Sequence, residues 1–356
     1  MRVLVAMSGG VDSAVAAALL AEQGHDVVGF HMKLHDGAAS FAGRCCGDAD
    51  ALDARAVASA IGIPFYVADL RDAFRSAVMD DFAETFASGR TPNPCVRCNG
   101  MLKFRVLLSR AIAFGADRLA TGHYARIIDG RLAAASDADK DQSYFLYQVP
   151  AAALARTVFP LGALRKQQVR AHAARLKLSV ADKPDSQELC FVPDDDHAGF
   201  VRRHLADTAR ALGGPGDIVG DDGTVLGRHD GVHAFTIGQR RGLGVALGRP
   251  AWVRAIDPVA RRVIVTTDPT RLGALGLEAN RAVFAMPPSP GRVRVRVRHR
   301  GDLAHAHLEL VEGDRFRVAF DDPVRAVAPG QAAVLYDGET VLGGGTITRA
   351  LTDLAA

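Results

Sequence analysis

The sequence predicts an α/β fold: a parallel sheet covered by helices, followed by a small β-rich central domain and a C-terminal antiparallel β-barrel. Three observations predict it. The first third of the chain alternates short apolar runs with helical stretches, the pattern of strand–helix–strand units. A glycine turn, Ser8-Gly9-Gly10, separates the first such run from the first helix. After about residue 195 glycine and short β-like runs take over, and from about 275 to the end alternating runs recur between turn residues.

The elements follow in order. Val3 to Met7 is apolar throughout and is expected to be a strand buried on both faces. A helix is expected from Ser13 to Gln23, with Gly24 as its stop. Val27 to His31 is the next strand, Asp48 to Ala60 a helix, and Ile63 to Val67 a third strand. Helices are expected over Asp72 to Ala87 and Met101 to Phe114. A strand at Arg118 to Ala120 leads into Thr121-Gly122-His123-Tyr124. In such a sheet, ligands belong at the carboxyl ends of the strands. Ile127 to Leu132 reads as a hairpin turning at Asp129-Gly130. The domains expected are 1–197, 198–272 and 273–356.

Length and composition agree with this division. A chain of 356 residues exceeds the usual size of one domain, and 48% hydrophobic residues suffice for ordinary cores. A net charge of +3 neither demands nor excludes a nucleic-acid partner. Of 43 basic residues only six are lysine. Coding bias explains that better than any functional reading does, although arginine suits phosphate and base recognition and is compatible with RNA binding. No apolar run approaches a membrane span, the longest being Ala14 to Ala21, and the start has no charged leader. Five cysteines, with Cys45 and Cys46 adjacent and Cys95 and Cys98 in a C-x-x-C, do not resemble a secreted disulfide framework. A soluble protein of the reducing cytoplasm is expected, with Cys45 and Cys46 structural.

Two stretches carry the chemistry. Ser8-Gly9-Gly10-Val11-Asp12-Ser13 lies between a strand and a helix. Its glycines let the backbone approach an anion, the helix start offers free N–H groups, and Ser8 and Ser13 add hydroxyls. Asp12 could hold magnesium. Neither a Walker loop nor a dinucleotide fingerprint is present, and the alternative is a plain turn with an ordinary cap.

The second stretch, Thr91 to Asn99, is expected to be a proline-rich loop entering a helix near Met101, where a cysteine at the helix start gains thiolate character from the dipole and Arg97 can add to it. Asp185-Ser186-Gln187-Glu188-Leu189-Cys190-Phe191 supplies another thiol. Two thiols that meet could run persulfide chemistry. Half of a zinc site, a buried apolar cysteine, or an iron–sulfur cluster on Cys95, Cys98 and Cys190 are the alternatives.

The phosphate loop resembles the PP-loop of ATP pyrophosphatases, S-G-G-x-D-S. With Thr91 to Asn99, Ala120 to Tyr124, Lys140 to Leu146, Asp185 to Phe191 and Phe235 to Leu243, taken in order, the chain resembles the bacterial tRNA-specific 2-thiouridylase family over most of its length. The resemblance implies ATP, with Mg2+, on Ala6, Met7, Ser8, Gly9, Gly10, Val11, Asp12 and Ser13, and further contacts from Met32 and Gly122. It implies Cys98 as nucleophile and Cys190 as persulfide carrier. It places Asn93, Pro94, Cys95 and His123 near the target base. Lys140, Asp141, Gln142, Arg298, His299 and Gln331 are implied contacts to tRNA.

The implied reaction is ATP-dependent 2-thiolation of the wobble uridine in tRNAs for Lys, Glu and Gln. The implied sulfur source is a cysteine desulfurase or relay protein. Cys95 departs from the aspartate found there in some members, so no acid–base role is placed on it. That departure keeps open a sulfide-using enzyme with a [4Fe-4S] cluster. A PP-loop enzyme adenylating another acceptor is a further alternative. Arg292 to Arg298 alternates valine with arginine, which suits either a phosphate-tracking face or an edge strand guarded by charge.

Overall fold

The computed structural model describes residues 1–35, 48–185, 189–208 and 212–353. Cys45, Cys46 and Ser186-Gln187-Glu188 lie outside the described residues. The chain divides into two compact units. The first comprises Met1–Val78, Cys95–Asp195 and Glu339–Val341; the second comprises Met79–Pro94, Asp196–Gly338 and Leu342–Ala356.

The first unit is built on a five-stranded parallel sheet. Its strands are β1 (Arg2–Ala6), β2 (Asp26–Lys33), β3 (Phe65–Asp69), β4 (Arg118–Thr121) and β7 (Thr157–Val158), in the order β3-β2-β1-β4-β7. β1 is apolar at every interior position because helices cover both faces of the sheet. Helices α1 (Val11–Glu22), α2 (Asp48–Ala60) and α8 (Lys166–Arg175) share one core with β1, around Val5, Val15, Val57 and Val169. The chain leaves β1 through α1 to pair β2 on one side, whereas β4 pairs on the other, with Ala6 opposite Thr121. That reversal opens a crevice beyond the carboxyl ends of β1 and β4. The hairpin β5 (Arg126–Ile128) to β6 (Arg131–Ala133) turns where expected. Asp129 and Gly130 both have positive φ, 49° and 75°, as a type I′ turn requires.

The expected helix Asp72–Ala87 contains α3 (Arg71–Phe74), a π-turn (Arg75–Met79) and α4 (Asp80–Ala87). The stretch expected to be a loop departs more. Helix α5 (Pro94–Arg97) begins at Pro94 and passes into a π-helix, Cys98–Lys103, before α6 (Phe104–Ala113). Proline is tolerated at the first helical position, where its missing N–H would be unbonded anyway. The prolines therefore start this helix rather than forbid it. A short helix α7 (Ala151–Leu154) precedes β7.

In the second unit α4 packs against α9 (His197–Asp207) through Phe82 and Phe200, ring centres 5.7 Å apart. His204 of α9 lies 2.6 Å from Asp80. A four-stranded sheet follows, ordered β10-β11-β8-β9, from β8 (Gly216–Val219), β9 (Val225–His229), β10 (Trp252–Asp257) and β11 (Arg262–Thr266). Six longer strands form a barrel: β12 (Gly273–Phe284), β13 (Gly291–Arg296), β14 (Ala304–Glu312), β15 (Arg315–Arg325), β16 (Ala332–Asp337) and β17 (Thr340–Leu351). Their order is β12-β15-β14-β13-β16-β17, and β12 pairs β17 to close the ring. This closure is what the expected barrel requires.

β13 carries the valine–arginine alternation. Val293 and Val295, with Val297 just beyond, point into the barrel core, and Arg292, Arg294 and Arg296 face outward. The strand is paired on both sides, to β14 and β16. The edge-strand explanation for its arginines therefore does not apply.

Candidate active site

The phosphate loop follows β1 at its carboxyl end and leads into α1. Gly9 has φ +79°, and a Cβ there would stand 2.3 Å from the carbonyl oxygen of Asp50. Glycine is required twice over, by conformation and by space. Gly10 is the N-cap of α1 and places no side chain on the first turn, so the leading N–H groups point outward for an anion. Ser13 braces the loop. Its hydroxyl accepts from the Ser8 N–H at 3.0 Å and donates to the Gly10 carbonyl at 3.1 Å. Gly122, next after β4, lies against this turn, and a Cβ on it would meet the Ser13 nitrogen at 2.6 Å. The loop and Gly122 thus form one surface, and the buried Met32 lies on the neighbouring β2.

A direct expectation follows. Gly9→Ala should abolish ATP binding and destabilise the first unit by about 2 kcal/mol. Gly10→Ala, whose nearest neighbour is the Ser8 hydroxyl at 3.6 Å, should leave the fold intact. Calorimetric titration with ATP beside thermal melts separates the two. Wild-type affinity in Gly9→Ala would refute this account of the loop.

Two lysines that sequence reasoning missed clamp the loop. Lys183 donates from Nζ to the Gly9 carbonyl at 3.0 Å, to Asp50 at 2.8 Å and to Asp53 at 2.6 Å. Burial works against its charge, but the two carboxylates prevail and hold its pKa above the usual lysine value. Lys166 donates to both carboxylate oxygens of Asp12, at 2.7 and 2.9 Å, and lies 2.7 Å from Asp185. The Tyr124 hydroxyl also donates to Asp12, at 2.8 Å. Burial, then the Asp12 charge, push the Tyr124 pKa far up, so the phenol stays a donor.

Asp12, expected as a magnesium ligand, is thus neutralised by the protein's own ammonium. A metal would bind it in exchange for Lys166. One signal could have found these residues: in a chain so rich in arginine, Lys140, Lys166 and Lys183 are half of all the lysines. A compact ammonium fits three close acceptors where a guanidinium does not.

Asp185 ties these groups together. It accepts from Lys140 at 2.8 Å and from Arg170 at 2.8 Å, besides pairing with Lys166. Burial opposes its ionisation, but Lys140 and Lys166 hold its pKa down at about 2. Of the six residues implied as tRNA contacts, three are consecutive here: Lys140 belongs to this cluster, and Gln142 accepts from the Tyr124 N–H at 2.9 Å. Asp141 is buried, its carboxylate bonded to the Ala135 and Ser143 N–H groups and the Ser143 hydroxyl. Its side chain serves the turn.

The thiols occupy different surroundings. Cys95 is exposed in the first turn of α5, whereas Cys98 is 6% exposed at the head of the π-helix. Burial raises the Cys98 pKa, and the Lys103 charge opposes this only in part. The thiolate character expected from the helix start is therefore overturned by desolvation. Arg97 is aimed elsewhere, its Nε donating to the Ala77 carbonyl at 3.1 Å. Asn99 is buried, donates to the Phe145 carbonyl at 3.2 Å and leaves its Oδ1 without a hydrogen bond. Cys190 is half-buried. Its neighbour Phe191 packs on Phe74 of α3, ring centres 5.5 Å apart, and α3 also packs on the π-helix of Cys98. Both thiol-bearing segments thus lean on one short helix.

Iodoacetamide at pH 7 should modify the exposed Cys95 at least tenfold faster than the buried Cys98, and the Cys98 rate should keep rising with pH after that of Cys95 has levelled off. Peptide mass spectrometry across pH reads this, and equal rates at neutral pH would refute it. His123 bonds through Nδ1 to the Thr121 hydroxyl at 2.9 Å. Burial, with a smaller push from Lys103, drives its pKa down to about 3, so it works as a neutral imidazole.

In the second unit, Arg298 is exposed and His299 half-exposed in the turn after β13, closed by the Gly301 N–H on the Arg298 carbonyl at 3.0 Å. Across the strands Arg292 stands opposite His307 and Arg294 opposite His305. Asn93 and Gln331 meet, amide to amide, at 3.5 Å.

Comparison with known proteins decides the family. A family model described as tRNA methyl transferase HUP domain matches residues 1–194. Models described as tRNA methyl transferase PRC-barrel domain and aminomethyltransferase beta-barrel domain match residues 199–267 and 276–347. The chain is 48% identical over 364 residues to the tRNA-specific 2-thiouridylase MnmA of Mycolicibacterium smegmatis, covering 98% of this chain and 100% of that one. The chain belongs to the tRNA-specific 2-thiouridylase family. The protein of the same name from Acidothermus cellulolyticus is 48% identical, over 98% of each chain. That from Syntrophotalea carbinolica is 49% identical, over 97% of this chain and 98% of its own. Membership runs through the PP-loop unit and the barrel alike.

Proposed function

We propose that this protein is an ATP-dependent tRNA-uridine 2-sulfurtransferase acting on the wobble uridine of tRNAs for Lys, Glu and Gln. The observation that carries the reading is an uncapped helix start on a glycine loop, gripped by two lysines, in a chain 48% identical end to end to 2-thiouridylases. The uridine is taken out of the anticodon stack, at little cost in a single-stranded loop. Its C2 oxygen attacks the α-phosphorus of ATP. Pyrophosphate departs toward the loop N–H groups and lysines, which favour the developing charge. Mg2+ bound with ATP would screen the triphosphate charge, with Asp12 as the carboxylate that would hold it in exchange for Lys166.

Cys190 carries a persulfide received from a cysteine desulfurase or relay protein. Either its terminal sulfur attacks C2, AMP leaves, and Cys98 then attacks the Cys190 sulfur of the resulting C2–S–S–Cys190 linkage, freeing the thiocarbonyl and leaving a Cys98–Cys190 disulfide; or Cys98 attacks the inner sulfur of the persulfide first. The second route forms the same disulfide and releases hydrosulfide, which attacks C2; in both, a thiol reductant then regenerates the two thiols. His123, Asn93, Pro94 and Cys95 face the base, and Lys140, the outward arginines of β13, Arg298, His299 and Gln331 contact RNA. A cytoplasmic location belongs to this reading. No helix among the described residues is long and apolar enough to cross a membrane.

A [4Fe-4S] cluster gains no support: among the described residues no three Cys, His, Asp or Glu side chains come together as ligands. The test is an anaerobic assay of purified protein with unmodified tRNA, ATP, magnesium, a desulfurase and cysteine. Nucleoside mass spectrometry should find 2-thiouridine only when ATP is present. Product that requires reconstituted iron and free sulfide would replace this mechanism by the cluster.

A further inference from the structure

Gln331 stands one residue before β16, and its backbone is fixed on both sides. Its N–H donates to the Ala328 carbonyl at 3.2 Å, and its carbonyl accepts from the Ile347 N–H at 2.8 Å. The side chain turns to the segment that leads into α5. Nε2 donates to the Pro92 carbonyl at 2.8 Å and to the Thr91 carbonyl at 3.3 Å. Oε1 accepts from Asn93 Nδ2 at 3.5 Å. The Thr91 N–H donates to the Pro329 carbonyl at 2.8 Å. Gly330 makes the approach feasible: its φ is +94°, and a Cβ there would lie 2.6 Å from the Thr91 oxygen. All of these residues belong to the second unit.

Irregular backbone beside two prolines has no ladder to satisfy its carbonyls. A primary amide with two donors and one acceptor meets the carbonyls of Thr91 and Pro92 together with the Asn93 amide. A residue kept only to touch RNA has no need of that arrangement in the RNA-free protein. We propose that Gln331 is a positioning residue: it holds Thr91-Pro92-Asn93 in register before tRNA binds, and so sets the start of the helix that carries Cys95 and Cys98. The proposal rests on the sulfurtransferase reading only for its consequence on turnover.

The test separates positioning from RNA contact by omitting RNA. Iodoacetamide labelling of the tRNA-free full chain at pH 8.5, read peptide by peptide, should be about tenfold faster at Cys98 in Gln331→Ala than in wild type, because the buried thiol reacts through local opening. Gln331→Glu keeps the size but cannot donate to either carbonyl, and should match Gln331→Ala. Cys190 should react at the wild-type rate in both variants. With tRNA, both should lower kcat about tenfold at saturating RNA. Wild-type labelling of Cys98 in both variants, with only the KM for tRNA raised, would reduce Gln331 to an RNA contact and overturn the proposal. Faster labelling of Cys190 as well would mean general loosening and would overturn it too. Absence of 2-thiouridine from the wild type would instead count against the function and leave the labelling result standing.

Discussion

Cys98→Ser and Cys190→Ser are each expected to cut 2-thiouridine formation by more than about a thousand-fold, while AMP and pyrophosphate still form with tRNA present. The asymmetry follows from where the groups sit. In the proposed reaction adenylation uses the loop held by Lys166 and Lys183, none of which involves a thiol. Sulfur delivery in that reaction uses both thiol-bearing segments. Serine is nearly isosteric but cannot carry a sulfane sulfur or form the mixed disulfide. The two variants then part: Cys190→Ser should not acquire label from a desulfurase loaded with 35S-cysteine, whereas Cys98→Ser should hold the label without passing it on. Loss of ATP turnover in both variants would show that the thiols build the site, and would sink their assignment to sulfur transfer alone. Activity retained in both would point to adenylation of a different acceptor.

The burial of Cys98 bears on the order of events. A neutral thiol with a raised pKa is a poor nucleophile at neutral pH. In the proposed mechanism its pKa falls, or the thiol is uncovered, when tRNA arrives. Lys103 lies five residues on, at the end of the same π-helix, and its charge already favours the thiolate. Such π-turns concentrate at functional sites because the extra residue re-aims side chains.

Much of this was legible in the sequence, for physical reasons that differ by region. β1 and α1 were placed to within a few residues because a strand buried on both faces has to be apolar throughout and because Gly9 and Gly10 punctuate the turn. The Asp129-Gly130 turn was legible because two positive φ angles in succession strongly favour such a pair. Helix α5 was misread because proline is a breaker inside a helix and a starter at its first position, and only the fold says which applies at Pro94. The protonation of Cys98 was misread because helix dipole and burial act in opposite senses, and burial is a tertiary quantity. Lys166 and Lys183 were missed because they lie more than 150 residues from the groups they hold in the loop, Asp12 and Gly9. No local pattern marks them. The structural use of the Asp141 carboxylate, which closes a turn, was likewise not legible, because its partner Ala135 is fixed only by the fold.

Lys183→Met is expected to have the second-largest effect, acting on stability and catalysis together. The ammonium has three acceptors, and Asp50 is among the most buried carboxylates of the described chain. Removing the cation takes a charged hydrogen bond from the buried Asp50 and another from Asp53, which should cost the first unit about 3 kcal/mol. It also frees the Gly9 carbonyl in the turn that must present N–H groups to phosphate. ATP-dependent AMP formation should therefore fall on the order of a hundred-fold even at temperatures where the variant is folded. Lys183→Arg restores the charge but not the compact geometry, and should recover stability more than turnover. The pKa of Lys183 is raised in the folded state. Its contribution is accordingly complete below the unfolded value of roughly 10.4 and is lost only as pH rises through the still higher folded value. The wild-type-to-Met difference should thus stay constant from pH 6 to 9. Urea unfolding and AMP release, measured at both ends of that range, check this. A difference that vanishes at pH 9 would mean that the ammonium is not held as described. Because the same side chain begins the stretch that reaches Cys190 seven residues later, a loss of turnover larger than the loss of ATP affinity would place Lys183 in communication with the sulfur-bearing arm as well as the loop.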